Sequence, residues 1–400
     1  MLAAATGIAQ VVLAVMYIFT ARAAGPAEYG LTIAAVAAGT ALVGYTDFGT
    51  NSLWVRELAN SGIDIQTASS RARGKLIIAV IGSALIIAAS FAFSLPSYWI
   101  AGPILLTQLV RQTSVVPLRA SALSGRVALV ALIERSAGFL ILVALSSVGM
   151  EPTASLWIAL SAGSIAAAIC ARQLTPRPLR FKIDPGLSPA SPYSGARHYG
   201  LYSVGVSSQS LDLALLTSVA GAPAAGLYGA VNRWTQPMGL LANAFSTAAI
   251  PFVAKSPDVR VALRAISRGL WLLGLAVGAC VVALIGSPWI VPLLVGKEYE
   301  GAIQILQLLA IGTIPAIINQ PIAAFLQAVG KDRIVSYIVV GSVAMQLVLI
   351  LTLGTIVGAV GAGIALVIVQ FTLLALLSVV VVREVTKTIT PIRQDVPDEV

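Results

Sequence analysis

Residues 22–30 read RAAGPAEYG, and an uncharged apolar run from Leu31 to Tyr45 follows them. The Gly-Pro pair in the first segment is typical of a tight turn. The apolar run has the character of a membrane helix, whereas the charges at the exit after it, Arg56 and Glu57, cannot lie unpaired in hydrocarbon. The stretch therefore predicts a turn, one membrane helix and a charged exit, and the rest of the chain repeats this unit.

The composition fits this pattern. The chain has 400 residues, of which 58% are hydrophobic and 10% are charged, whereas a soluble domain would be about 25% charged. Apolar runs of membrane length recur, without the short alternating segments of a membrane barrel. We therefore predict an all-α integral membrane protein. The net charge of +9 is assigned to cytoplasmic loops, so no nucleic-acid partner is expected.

Twelve apolar segments are candidates for transmembrane helices. The predicted spans are about 1–21, 29–48, 74–95, 98–118, 127–148, 153–172, 198–220, 225–250, 263–286, 301–328, 334–354 and 359–382. We interpret the apolar start of the chain as the first membrane helix rather than as a cleaved signal.

The positive charges of the loops give the orientation. Most of the 25 basic residues fall in alternate connections and in the C-terminal tail, and only Arg22 and Lys297 lie in the opposite connections. Because cytoplasmic loops are enriched in Lys and Arg, this sorting predicts twelve spans with both termini in the cytoplasm.

A Pro-rich basic segment, residues 173–197, divides the chain into two sets of six spans. Its proline density excludes a regular helix and predicts an exposed linker. The predicted organisation is therefore an N-terminal bundle (1–172), a cytoplasmic linker (173–197), a C-terminal bundle (198–382) and a cytoplasmic tail (383–400).

The two halves also echo each other in sequence. Residues 221–229 read GAPAAGLYG and match the turn before span two, with Tyr228 close to half the chain length after Tyr29. We interpret this match as an internal repeat, in which two six-helix units have the same topology.

Five charged residues are predicted to lie deep in the membrane, where an isolated charge is costly. They are Arg111, Glu134, Arg135, Asp212 and Arg233. Helical rise places Arg111 level with Glu134, and Asp212 level with Arg233, so we predict these two ion pairs. Arg135 has no obvious partner at its level, which favours a contact with an anionic substrate.

Neutral polar residues in the spans complete a predicted hydrophilic cavity suited to sugar hydroxyls and phosphate. The candidate cavity residues are Arg111, Glu134, Arg135, Asp212, Asn232, Arg233, Gln236, Asn319 and Gln320. The alternative is that the charged pairs only hold neighbouring helices together.

The sequence shows no catalytic motif. It has no phosphate-binding loop and no metal-ligand cluster, since its two cysteines, Cys170 and Cys280, lie apart in apolar runs and His198 is the sole histidine. We therefore expect neither an enzyme nor a cofactor, and transport would draw on an ion gradient (H⁺ or Na⁺), a substrate gradient or a partner.

Several of these segments resemble the signatures of Wzx-type polysaccharide flippases, in the multidrug/oligosaccharidyl-lipid/polysaccharide exporter (MOP) superfamily. The matching segments are residues 21–30, 47–49, 55–59, 226–233 and 296–299. The resemblance implies two six-helix bundles forming a V around a central cationic cavity, and alternating access. The matching positions that it carries over are Arg22, Asp47, Arg56 and Arg233. We take Arg22, Asp47 and Arg56 as candidates for gating or orientation; for Asp47 and Arg56, which lie near the predicted inner surface, substrate contact is an equal alternative.

The resemblance also implies a substrate and a setting. It implies that undecaprenyl-diphosphate-linked oligosaccharide units are flipped across the bacterial inner membrane, with membrane lipid and possible polymerase and glycosyltransferase partners. A cation-coupled multidrug exporter, a peptidoglycan-lipid flippase and a non-transporting scaffold are the alternatives. Acidic cavity residues would favour the multidrug exporter, and the deep charges argue against a scaffold.

Overall fold

A computed structural model of the protein describes residues 2–95, 97–182, 188–235, 239, 270–328 and 331–389, and these residues form helices and connecting turns without a strand. The all-α class is thereby confirmed. Helices of the first half are α1 (Leu2–Asp47), α2 (Thr50–Ala59), α3 (Ile65–Ala92), α4 (Ala101–Ser114), α5 (Val116–Ala120), α6 (Ser124–Ser147) and α7 (Pro152–Leu174).

The second half begins after the linker. Its described helices are α8 (Arg197–Ser208), α9 (Asp212–Ala220), α10 (Ala222–Asn232), α11 (Leu270–Leu294), α12 (Ala302–Ala328), α13 (Asp332–Val357) and α14 (Ala359–Ile389). The predicted ninth span, 263–286, is wrong at its C-terminal end, since α11 continues to Leu294. Most of the predicted eighth span after Thr235 lies outside the described residues.

Helix α1 contains two predicted spans. Gly25 interrupts it with φ 74° and ψ 166°, a backbone conformation that a side chain would strain. Pro26 follows directly, where it can begin a new helical segment. The turn predicted from the Gly-Pro pair is therefore confirmed.

Eight of the described helices are long and apolar enough to cross a membrane, and α1 is one of them. Predicted spans four and seven are instead built from shorter pieces. Span four consists of α4 and α5, and span seven of α8, a 3₁₀ turn (Gln209–Leu211) and α9. Large apolar side chains such as Phe91 and Leu293 are about three-quarters exposed, as expected for surfaces that face lipid.

The two echoed turns pack directly against each other. A Cβ atom on Gly30 would lie 1.9 Å from the carbonyl oxygen of Ala222, and one on Gly226 would lie 1.9 Å from that of Pro26. Only glycine allows helices α1 and α10 to approach so closely at these points. The two echoed turns thus bring the two halves into contact at the predicted outer side.

The other end of the same α1 segment also meets the second half. Arg56 Nη1 donates to the hydroxyl of Tyr199 at 3.0 Å, and the Ser203 hydroxyl donates to the carbonyl oxygen of Gly44 at 3.3 Å. A Cβ on Gly49 would lie 2.5 Å from the carbonyl oxygen of Tyr199. The α1 segment after Gly25 is therefore bridged to the second half at both of its ends.

The linker contacts α3 at separate points, while more than half of its described residues are exposed. The Lys182 N–H donates to Ser69 Oγ at 2.9 Å, and the Ala190 N–H donates to the carbonyl oxygen of Ser70 at 3.2 Å. Its prolines interrupt helix formation. The N–H groups of its other residues are therefore available to hydrogen bond to α3.

Candidate functional site

A cavity of about 620 Å³ lies within the first half, among α1, α4, α5 and α6. We call it the first-half cavity. Its polar lining residues are Thr6, Gln10, Arg111, Arg119, Ser124, Glu134 and Arg135. Three guanidinium groups and a single carboxylate therefore face one hydrophilic space, which makes the cavity cationic.

The predicted pairing of Arg111 with Glu134 is confirmed. Arg111 Nε lies 3.2 Å from Glu134 Oε1, and the two side chains are 20% and 6% exposed. The helical rise of α4 and α6 places them at the same depth, as the sequence predicts. Because removal of either partner would leave a buried charge without its counterion, the pair also holds the two helices together.

Arg135 is not without a partner, and that prediction is wrong. Its Nη2 lies 3.5 Å from the same Glu134 oxygen, Oε1. One carboxylate thus serves two guanidiniums. Sequence reasoning also missed Arg119, because it placed this residue in a loop, whereas α5 carries it to the cavity lining.

A second cavity of about 430 Å³ lies mainly within the second half, and we call it the second-half cavity. Its polar lining residues are Gln209, Ser210, Asp212, Tyr228, Asn232, Arg233, Thr313, Gln346 and Gln370. Ala37 of α1 also lines it, so the first half contributes a wall. This lining is rich in amide and hydroxyl groups, in contrast to the guanidiniums of the first-half cavity.

Asp212 is buried and receives neutral hydrogen-bond donors. Tyr228 donates its hydroxyl to Oδ2 at 3.0 Å, and Asn232 donates Nδ2 to the same oxygen at 3.2 Å. The Leu213 N–H donates to Oδ1 at 2.7 Å, because Asp212 begins α9, where backbone N–H groups are unpaired. A carboxylate with several donors can stay charged while buried.

The predicted ion pair between Asp212 and Arg233 is wrong. The guanidinium of Arg233 instead stacks over the ring of Tyr17 on α1, 4.8 Å from the ring centroid. The physical reason is local, since α10 ends at Asn232 and Arg233 begins a 3₁₀ turn. The prediction that Asp212 and Arg233 lie at the same depth assumed that each residue belongs to a continuous helix. Both residues nevertheless line the second-half cavity.

The three remaining amide candidates differ in their contacts. Asn319 donates Nδ2 to the backbone and side-chain oxygens of Gln370, each at 3.1 Å, and so positions a lining residue. The buried side-chain oxygen of Gln320 has no hydrogen-bond partner in the described chain, and Gln320 does not line either cavity. Gln236 lies outside the described residues.

Asp47 forms an ion pair that the sequence did not predict. Lys75 Nζ lies 2.7 Å from Asp47 Oδ1 and donates to Asn51 Oδ1 at 2.9 Å. It also lies 4.0 Å from the ring centroid of Trp54, and its side chain is only 1% exposed. Lys75 was assigned to a helix entry because span three was predicted to begin near residue 74, which is nine residues too late.

A helix-start signal could have revealed Lys75. Asp64 caps α3, since its side chain accepts from the Thr67 N–H at 3.0 Å. Hydrogen bonds from the Thr67 side chain and from its N–H lower the pKa of the Asp64 carboxyl. Asp before an apolar helical pattern is a typical N-cap. A helix beginning at residue 65 would have placed Lys75 well inside it.

The other two gating candidates lie at contacts between the halves. Arg22 Nη1 donates to the carbonyl oxygen of Leu293 at 3.3 Å, at the end of α11. Arg56 contacts Tyr199 of α8, as described above. Arg22 lies just before the break of α1 at Gly25, and Arg56 lies in α2, beyond the other end of the α1 segment that follows this break. A gating role for the two residues stays a prediction.

Comparison with known proteins places this geometry in a structural class. The MatE family matches residues 203–352, in the second half. A direct comparison with curated proteins finds no match. Solved structures match over nearly the whole chain at low identity, so they establish the fold alone.

Three solved structures illustrate that fold. An inward-facing multidrug resistance MATE transporter of the MOP superfamily has a TM-score of 0.71, with 16% identity and coverage of 95% of this chain and 96% of that one. The lipid II flippase MurJ, in an inward closed conformation, has a TM-score of 0.77, 14% identity and coverage of 95% and 87%. A MOP transporter from Pyrococcus furiosus Vc1 has a TM-score of 0.54, 15% identity and coverage of 96% and 94%.

The fold and the two hydrophilic cavities therefore define a multi-pass membrane protein with the MATE transporter fold. The MatE match covers part of the second half, and the whole fold is similar both to a multidrug resistance transporter of the MOP superfamily and to the lipid II flippase MurJ. MatE family members are transporters rather than enzymes, as expected from the lack of a catalytic motif.

Proposed function

We propose that the protein flips undecaprenyl-diphosphate-linked oligosaccharides across the bacterial inner membrane during surface polysaccharide synthesis. The observation that carries the proposal is the first-half cavity, whose lining contains Arg111, Arg119 and Arg135 but a single carboxylate, Glu134. Guanidiniums bind phosphate oxygens through short charge-assisted hydrogen bonds, often in pairs. A diphosphate would supply the negative charge that the cavity lacks.

The arrangement of charges gives a way to bind and release the headgroup. Glu134 contacts both Arg111 and Arg135, so a diphosphate competes with one carboxylate for two guanidiniums. When the substrate leaves, Glu134 again neutralises them. Binding therefore does not require three isolated charges in the empty protein, which would be costly within a membrane.

The oligosaccharide would occupy the amide-rich second-half cavity. Gln209, Asn232, Gln346 and Gln370 offer both hydrogen-bond donors and acceptors there, which suit sugar hydroxyls. The headgroup and the sugars would thus contact different halves of the protein. Movement of one half relative to the other would then change access to both.

Alternating access would break the two contacts of α1 in turn. Opening to the outside would separate Gly30 from Ala222, whereas opening to the cytoplasm would separate Arg56 from Tyr199. Both termini would lie in the cytoplasm, and an H⁺ or Na⁺ gradient would supply the energy. A polymerase and glycosyltransferases would be the natural partners.

A cation-coupled multidrug exporter is the second candidate. Asp212, a buried carboxylate on the wall of the second-half cavity, favours it, because a carboxylate can attract a cationic drug or a coupling ion. The likeness to a multidrug resistance transporter is compatible with it too. The two candidates differ in the charge of the substrate and therefore in the half of the protein that carries the specificity.

Arg135→Gln tests the proposal in the native host. We expect this variant to abolish surface polysaccharide at normal membrane levels of the protein. Arg126→Gln is the matched control, because Arg126 lies on the same helix but outside the cavity lining, where it donates to the carbonyl oxygen of Leu174. Normal polysaccharide in the Arg135 variant, together with loss of cationic-dye efflux in Asp212→Asn, would favour the multidrug exporter instead.

A further inference from the structure

A third cavity, of about 280 Å³, lies on the flank of the first half, away from the two cavities described above. It is bounded by α3, α4, α5, α7 and the start of the linker, and we call it the α3–α7 groove. Most of its lining comes from three helices, over residues 69–76 of α3, 109–114 of α4 and 165–172 of α7.

One wall of the groove is apolar and open to the membrane. Ile165 and Ile169 lie one helical turn apart on α7 and are 48% and 54% exposed. Leu76 of α3 and Val110 of α4 continue this wall inside the groove. Exposed aliphatic side chains on a transmembrane helix contact lipid chains, so an acyl chain can reach the groove from the bilayer.

The groove also carries five cations, which we call the basic rim. They are Arg73, Lys75, Arg172, Arg180 and Lys182, and the lining of the groove contains no carboxylate. The positive charge of Lys75 is neutralised by the carboxylate of Asp47, 2.7 Å away. Arg180 donates to the carbonyl oxygens of Thr175 and Gln173, which fixes the guanidinium without cancelling its charge.

The basic rim is held in place by the linker. The backbone N–H of Lys182 donates to Ser69 Oγ. Further along the linker, the carbonyl oxygen of Ser188 accepts from Ser70 Oγ. A Cβ on Gly74 would lie 2.1 Å from the carbonyl oxygen of Ala190, so linker and helix are in direct contact. The cations therefore lie beside the apolar wall in a formed site rather than on a free loop.

We propose that the α3–α7 groove binds a membrane phospholipid with an anionic headgroup. The headgroup phosphate contacts Arg172 and Lys182, and one acyl chain lies along Ile165, Ile169 and Val110. Basic pockets between helices at the cytoplasmic side of a membrane protein are suited to such headgroups. This assignment concerns a structural lipid and is independent of the transported substrate, because the groove shares no lining residue with either central cavity.

Native mass spectrometry of the purified, delipidated protein tests the assignment. Dioleoyl-phosphatidylglycerol and dioleoyl-phosphatidylcholine are titrated separately, because they share acyl chains and differ in headgroup charge. The double variant Arg172→Gln/Lys182→Gln removes two cations of the rim. Its control, Arg177→Gln/Arg333→Gln, removes two exposed cations that lie outside the groove and leaves the same net charge.

We expect the wild-type protein and the control to bind phosphatidylglycerol more tightly than phosphatidylcholine, and the rim variant to lose about tenfold or more in phosphatidylglycerol affinity. Equal affinity for the two lipids would overturn the proposal, and so would equal loss in both double variants. Displacement of the lipid by millimolar inorganic phosphate alone would identify a free-anion site instead and would also overturn it.

Discussion

Glu134 and Asp212 are both buried carboxylates in the membrane domain, and each lies on the wall of a cavity, but the two halves stabilise them differently. Glu134 contacts the guanidiniums of Arg111 and Arg135. Asp212 accepts hydrogen bonds from Tyr228, Asn232 and the backbone of Leu213. The first-half cavity thus carries an excess of positive charge, whereas in the second-half cavity neutral donors bind Asp212 and one guanidinium, Arg233, offsets its charge.

The difference teaches how two related halves can divide one task. Both halves retain the Tyr-Gly turn and its close glycine contact, which preserve the fold. The charges, in contrast, differ, and charges decide which part of a substrate each half can hold. In our account, the first half binds an anionic headgroup and the second half binds hydroxyl groups.

The largest effect should follow when a charge pair of the first half is broken. Asp47→Ala leaves the buried ammonium of Lys75 without its counterion, so we expect a loss of about 3–5 kcal/mol in unfolding free energy. The double variant Asp47→Leu/Lys75→Met removes both charges and should recover most of this loss. Unfolding of the purified variants in detergent measures both effects. If Asp47→Ala were as stable as the wild type, the ion pair would not stabilise this half, and the prediction would be wrong.

A smaller effect is expected when a neutral donor of the second half is removed. Tyr228→Phe deletes one hydrogen bond to the charged Asp212, which should cost about 1.5–3 kcal/mol. Tyr29→Phe is the matched control at the equivalent position of the repeat, because the buried Tyr29 hydroxyl has no hydrogen-bond partner within the described ranges. Unfolding in detergent should show no loss for this control. Equal losses would mean that the Tyr228 hydrogen bond does not distinguish the two sites.

The smallest effect should come from an ion pair nearer the protein surface. Arg71 and Glu57 lie 2.9 Å apart, close to the 2.7 Å between Lys75 and Asp47, but their side chains are 14% and 25% exposed. Glu57→Gln should therefore cost at most about 1 kcal/mol, since water and salt screen such pairs. A loss as large as that of Asp47→Ala, in the same unfolding measurement, would show that burial is not the deciding variable.

The sequence predicted the features that depend on regular helical geometry. Arg111 and Glu134 are paired because α4 and α6 rise evenly from the same side of the membrane. The turn at Gly25 and the echo at Gly226 were also predictable, because only particular residues fit such positions. These features follow from local geometry and from composition.

The predictions that were wrong concern places where regular helical geometry is interrupted or begins earlier than expected. The 3₁₀ turns at Gln209–Leu211 and Arg233–Thr235 interrupt the helices that carry Asp212 and Arg233, so a count of residues misplaced their side chains. Lys75 was missed because its helix begins earlier than hydropathy alone indicates. The contact between Arg233 and Tyr17 joins the two halves, and no local pattern encodes it.

The central claim is that the guanidiniums of the first-half cavity bind an anionic lipid-linked headgroup. Its most direct test is the affinity of purified protein for undecaprenyl diphosphate, compared between the wild type, Arg135→Gln and the control Arg126→Gln. We predict that Arg135→Gln weakens binding about tenfold or more, since a charge-assisted contact contributes about 1.5–3 kcal/mol, and that the control binds like the wild type. Equal affinity in all three proteins would contradict the account.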